Sequence, residues 1–195
     1  MILNIFVNIR KYNDIEHFRS KCDCIKPTYQ WTMYNVMSIA NYFIGLALKH
    51  DRVLTHLKLQ KLVYFAHGIY YATYDKPLIN ASIEAWQYGP VIPVLYRRLR
   101  HLGNNPIRES IPLESTDFIM DGKIELDSKI RQFLESIWDS MKNYSATDLS
   151  TASHKEGSPW HEMVFKRNNG KILYSQDIDQ ELIKEHFKTI VLNKR

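Results

Sequence analysis

Only two cysteines occur in the 195 residues, Cys22 and Cys24, one residue apart. A disulfide across that spacing is strained, and two thiolates cannot complete a tetrahedral zinc site without histidines at suitable distances. Neither a disulfide scaffold nor a zinc-held domain is expected, and the cytoplasm is the compartment such thiols suit. No apolar run approaches the roughly 18 residues of a membrane span, so no membrane partner is expected. The opening MILNIFVNIRKY lacks an early positive cluster and its apolar run is broken by Asn4, unlike a secretory signal. Internal repeats and low-complexity tracts are absent as well. So are the motifs of enzymes, since there is no G-x-S-x-G elbow, no P-loop, no dinucleotide fingerprint and no HExxH pair. His154 and His161 stand seven apart with no acid motif to complete a ligand set. No metal, no cofactor and no enzymatic activity are expected.

A hydrophobic fraction of 45% and a charged fraction of 24% are globular values for a single domain. Twelve tyrosines suit half-buried seams between helices, where a ring packs and a hydroxyl stays wet. The net charge is +5, but residues 1–32 hold five Lys/Arg against three Asp/Glu, leaving +3 from Met33 onward. Arg97, Arg98, Arg100 and His101 share the outer side of one short helix. That arrangement reads first as a solvated face and only second as the phosphate-binding stripe of a DNA-binding regulator. Residues 1–32 show no sustained period and end in Lys26-Pro27-Thr28. They are read as a dispensable N-terminal extension, with Met33 as an alternative start, and residues 33–195 as the domain.

Within that domain the periodicities predict a mainly α fold, about six helices around a minor antiparallel β element. Val36, Ile39, Ala40, Phe43, Leu46 and Ala47 recur at helical spacing over 35–49. From Leu57, a helix capped by Thr55 carries two stripes: Leu59, Leu62, Val63, Ala66, Ile69, Tyr70 and Thr73, then Gln60, Tyr64, His67, Tyr71 and Tyr74. Asp75-Lys76-Pro77 is a turn. Residues 82–88 alternate as a strand, with Glu84, Trp86 and Tyr88 on one side. Gly89-Pro90 is expected to end it, and Pro90 and Pro93 to open a helix that stops at Gly103. Residues 107–126 hold short β-prone pieces, including Phe118-Ile119 and a turn at Asp121-Gly122, expected to pair with one another or with 82–88. Helices follow from Ser128, from a cap at Ser145, from Pro159, and over Ile178–Ile190 behind Asp177 or Asp179.

Glu84 shares its strand face with Trp86, so a buried carboxylate there would need a partner, and Lys61 or His154 could supply one. Either that cluster is an ordinary ion pair holding the fold or it belongs to a binding site. A hydrolase would need His154 and Glu84 to converge in one pocket. The Trp86–Pro90 turn is either a packing corner or a recognition edge.

LKLQKLVYFAHG, then KPL, then IEAWQYGPV, then the block Ser153-His154-Lys155-Glu156-Gly157-Ser158-Pro159-Trp160, together resemble the Panacea domain family of SocA-like antitoxins and phage-associated GepA-like proteins. The resemblance runs from about Met33 to Phe187. The last block has Ser153 where threonine is usual but keeps His154, Pro159 and Trp160. It implies a mainly helical, non-enzymatic antitoxin of a toxin–antitoxin system, whose partner is a cognate protein toxin neutralised by direct binding. One branch of the family instead delivers its toxin to a Clp-type protease. The residues implied as motif or partner-binding positions are Gln60, Lys61, Tyr64, His67, Glu84, Trp86, Tyr88, Gly89, Pro90, His154 and Trp160.

Overall fold

A 19-residue helix, α2 (His56–Tyr74), is the element the others pack around in the computed structural model, which describes residues 33–119, 123–173 and 175–192. Thr55 caps it, its hydroxyl accepting from the Lys58 amide. Both stripes read from the sequence are used. Leu59, Leu62, Val63, Ala66 and Ile69 are buried, and so are Gln60, Tyr64, His67 and Tyr71. A helix buried nearly all round belongs to a domain interior. The helices against it are α1 (Val36–Lys49), α5 (Ser128–Met141), α6 (Ala146–Ser153) and α8 (Gln180–Leu192).

Each of these starts where a side chain can take an orphan first-turn amide. Asn35 accepts from Met37, Asp127 from Ile130 and Asp179 from Glu181, while Ser145 and Asp148 form a reciprocal capping box. The α2–α8 seam is tightly closed at Gly68. A Cβ on Gly68 would stand 2.2 Å from the Phe187 ring, which also meets Tyr64 and Phe65 edge-on.

The remaining helices are α3 (Pro93–Leu99), continued by a 3-10 turn (Arg100–Leu102), then α4 (Ser115–Ile119) and α7 (Pro159–His161), continued by a π-turn (Glu162–Arg167). The described residues thus hold six α-helices of seven residues or more, with the short α4 and α7 in addition.

The β element differs from expectation. Strand β1 (Glu84–Trp86) turns at Gln87-Tyr88 into β2 (Gly89–Val91), with Glu84 opposite Val91, Ala85 opposite Pro90 and Trp86 opposite Gly89. Pro90 is therefore a strand residue, and the helix begins only at Pro93, which occupies its first turn. Gly89, at φ +93°, supplies the positive φ that such a connection needs. The other side of β1 is met by residues 176–178, not by 107–126: Ala85 donates to Gln176 O and Ile178 to Ile83 O. Phe118-Ile119 falls in α4, not in a strand. Arg98 also departs from the outward face. It pairs with Glu114 (2.8 Å) and with the buried Asp117 (3.3 Å), a carboxylate that burial obliges to find a cation. The 1–32 segment with its two cysteines, and the Asp121-Gly122 turn, lie outside the described residues.

Candidate functional site

A three-residue strand pair leaves main-chain carbonyls at its turn without ladder partners, and buried or half-buried carbonyls must be satisfied elsewhere. Here side chains from α2, α6 and α7 do it. The Trp160 indole donates to Trp86 O at 2.7 Å. His154 Nε2 lies 3.1 Å from Gln87 O, and Ser150 Oγ donates to Tyr88 O at 3.0 Å. Lys61 Nζ donates to Pro90 O at 2.8 Å. Just beyond, the Gln60 amide takes both polar groups of Ile92, accepting from its N–H (2.9 Å) and donating to its C=O (3.3 Å). The hairpin is held by its backbone, from outside itself.

These holders are fixed in turn. His154 Nδ1 faces Ser150 O at 2.7 Å, and its ring packs edge-on to Trp160 at 4.0 Å. With a carbonyl at each ring nitrogen, a neutral imidazole donates to one and an imidazolium to both. Ser158 caps α7 and donates to Ser153 O, tying α7 to the end of α6. Gly89 is where the groups converge. A Cβ there would meet Ser153 Oγ at 2.5 Å, Lys61 Nζ at 2.8 Å and His154 Cε1 at 3.1 Å. Lys61 is wholly buried, and burial lowers its pKa from 10.5 to about 7. It makes no ion pair among the described residues.

The expected Glu84–Lys61–His154 cluster is therefore corrected. Lys61 and His154 do meet, at Gly89, but each turns to a hairpin carbonyl. Glu84 accepts instead from the Trp86 indole at 2.7 Å, so the shared strand face holds and the cation is not needed. His154 and Glu84 have different hydrogen-bond partners and do not form the couple a hydrolase would require. Trp86 also packs edge-on to Tyr96 at 4.8 Å.

Tyr64 and His67 lie in the core, away from the hairpin carbonyls. Burial raises the Tyr64 hydroxyl pKa and lowers His67 to about 4. The neutral His67 ring accepts from Ile79 N–H at Nδ1, which leaves Nε2–H to donate to Gln180 (2.8 Å), so it links α2 to α8. Ser150 and Gln176 escaped the sequence reading, and Ser153 entered it only as part of the last motif block. The four-residue step from Ser150 to His154 could have flagged the first, but Gln176 meets β1 only through the tertiary fold.

What the frame leaves outward is the turn itself. Gln87 is exposed and Tyr88 is 64% exposed, an unusual state for so large a ring on a rigid mount. A separate cavity of about 230 Å³ is lined by Asn35, Arg97, Arg98, Glu114 and Asp117 among others, and by no residue of the hairpin. Among the described residues no group of three or more His, Cys, Asp or Glu could hold a metal ion, and no helix is long and apolar enough to cross a membrane.

Comparison with known proteins gives a consistent result. Residues 59–161 match the family described as antitoxin SocA-like, Panacea domain. Antitoxin SocA of Caulobacter vibrioides (strain NA1000 / CB15N) is 31% identical over 156 residues, 77% of this chain and 81% of that protein. No solved structure matches.

Proposed function

The chain belongs to the SocA-like antitoxin family of Panacea domains, and from that premise we propose that it neutralises a cognate protein toxin by stoichiometric binding, with the Gln87-Tyr88 turn as its contact. The observation that carries this reading is an exposed aromatic on a hairpin whose carbonyls are held at Trp86, Gln87, Tyr88 and Pro90. A tyrosine presented on a rigid mount loses little conformational entropy on binding, which is what makes such a residue an effective anchor. Binding without turnover accounts for a site built to fix a backbone. We place the exchange in the cytoplasm.

The test is to co-express the full chain, tagged at its C-terminus, with the product of the adjacent reading frame, scoring growth and co-purification together. Rescue from toxicity with a stable complex is expected. Tyr88→Ala should weaken the complex at least about tenfold while leaving the melting temperature within about 2 °C. A non-toxic neighbour, or unchanged binding by Tyr88→Ala, would overturn the reading. Loss of the neighbour that stops when a Clp-type protease is deleted would make the chain a delivery adaptor instead of a blocker.

A further inference from the structure

We propose that His154 is the positioning residue of the turn, a latch that ties down Gln87 O only as an imidazolium and so presents Tyr88 more firmly at lower pH. What the latch does to a partner rests on the antitoxin reading. The ring stands between two main-chain oxygens, Nδ1 at 2.7 Å from Ser150 O and Nε2 at 3.1 Å from Gln87 O. Neither oxygen can donate. Each neutral tautomer therefore turns one bare nitrogen toward a carbonyl lone pair, whereas the imidazolium donates to both. The shorter bond lies within α6 and its cap, and the longer one alone reaches the hairpin. Loss of the second proton costs the hairpin its tie.

Two features favour a cation on this ring. His154 is the C-cap of α6, at the end where helix carbonyls carry partial negative charge. It is also only half-buried, so water screens the charge. Lys61 reaches the same point from α2, since a Cβ on Gly89 would lie 2.8 Å from Lys61 Nζ and 3.1 Å from His154 Cε1. Two cations there repel, and Lys61 is the one to give way. It is wholly buried against the single oxygen of Pro90, and burial lowers its pKa to about 7. The other titratable groups around the ring add little. Lys155 and Glu156 follow it in the chain, exposed and of opposite sign. The hairpin brings exposed Tyr88, and Glu84 is taken by the Trp86 indole. On α7, beside Trp160, His161 stacks on Phe165.

The sign of the effect sets it apart. A base whose protonated form makes the extra bond contributes below its titration and loses that contribution as pH rises. Lys61 and His67 act the other way, since burial lowers both and the fold gains stability with rising pH. Rising pH thus firms the domain while it frees the turn. A general loosening of the fold cannot reproduce that pattern.

The test is nitrogen NMR on the labelled full-length chain across about pH 5 to 8, the range in which imidazoles change charge. Both ring nitrogens of His154 are expected to carry protons at the acid end. The protection factor of the Gly89 amide, from which the intrinsic pH dependence of exchange is divided out, should fall about tenfold with the same midpoint as the ring. His154→Gln, neutral at every pH, should show the low factor throughout. A neutral ring at the acid end, a factor that stays level or rises, or a fall retained by His154→Gln would each overturn the proposal. Affinity for the product of the adjacent reading frame should fall with the same midpoint and stay level in His154→Gln. An equal pH dependence in the two chains would overturn it as well. Absent rescue of growth by the unaltered chain removes the antitoxin reading alone, because the Gly89 profile needs no partner.

Discussion

Lys61 and His67 are buried bases about 1.7 helical turns apart on α2, and both write a pH dependence into stability. Lys61 titrates at about 7 in the folded chain against 10.5 unfolded. Between those values the unfolded chain binds the extra proton, so stability rises with pH there, and below about 7 the cost of a buried charge is complete. Lys58, also lowered by burial, acts in the same sense. Denaturant melts between pH 7 and 9 should show this rise, and Lys61→Met should flatten it. For His67, about 4 folded against 6.5 unfolded, acidification across that window removes stability at up to about 1.4 kcal/mol per pH unit. His67→Gln keeps one donor and one acceptor and should remove part of that loss, the remainder belonging to His56 and His186, which burial also lowers. At Gly89 the positive φ and the three crowding groups add, so Gly89→Ala should cost on the order of 2–4 kcal/mol by chemical denaturation. Lys61, Glu84 and His154 could be singled out from the sequence. The partners of Lys61 and His154 could not, because a side chain that bonds a main-chain carbonyl leaves no complementary residue type to look for, whereas Glu84 meets Trp86 of its own strand face.

Among the elements, the long helices were legible and the hairpin was not. A helix carries its own period and its own cap: Thr55 and Ser145 are legible from the sequence as N-caps, and both cap their helices in the structure. The hairpin's register is set from a distance, by Gln60 and Lys61 on one side and Gln176 and Ile178 on the other, so a Gly-Pro pair that looks like a strand end becomes the start of β2. Phe118-Ile119 misled for a related reason, since buried Asp117 draws its segment to Arg98 as a helical turn. Two substitutions test the elements. Gly68→Ala forces a buried ring off the α2–α8 seam and should cost on the order of 2 kcal/mol, read as a lower melting temperature. Trp160→Phe keeps the ring but strands Trp86 O, and should cost about 1–2 kcal/mol while loosening the hairpin, seen as faster amide exchange at Gly89.

Taken whole, the molecule is one helix wrapped by others, with a small β turn mounted where α2, α6 and α7 meet. Its first described residues are tied in on two sides: Tyr34 donates to Leu78 O, and Lys123 pairs with both Met33 and Asn35. Because Met33, Tyr34 and Asn35 are held by main-chain bonds to Leu78 and Lys123, a chain starting at Met33 is expected to fold, with a melting temperature within a few degrees of the full chain by circular dichroism. That a mainly α domain would form was legible in the repeated three- and four-residue steps, whereas which end of it faces a partner depends on loops that no local period reports. The mount grips oxygens common to every amino acid, not the side chains of Gln87 and Tyr88. Residues 87 and 88 can therefore be exchanged without re-engineering what carries them, which makes the turn an interchangeable cartridge, and under the function proposed above a library randomised at those two positions is expected to re-address the protein to new targets on an unaltered chassis.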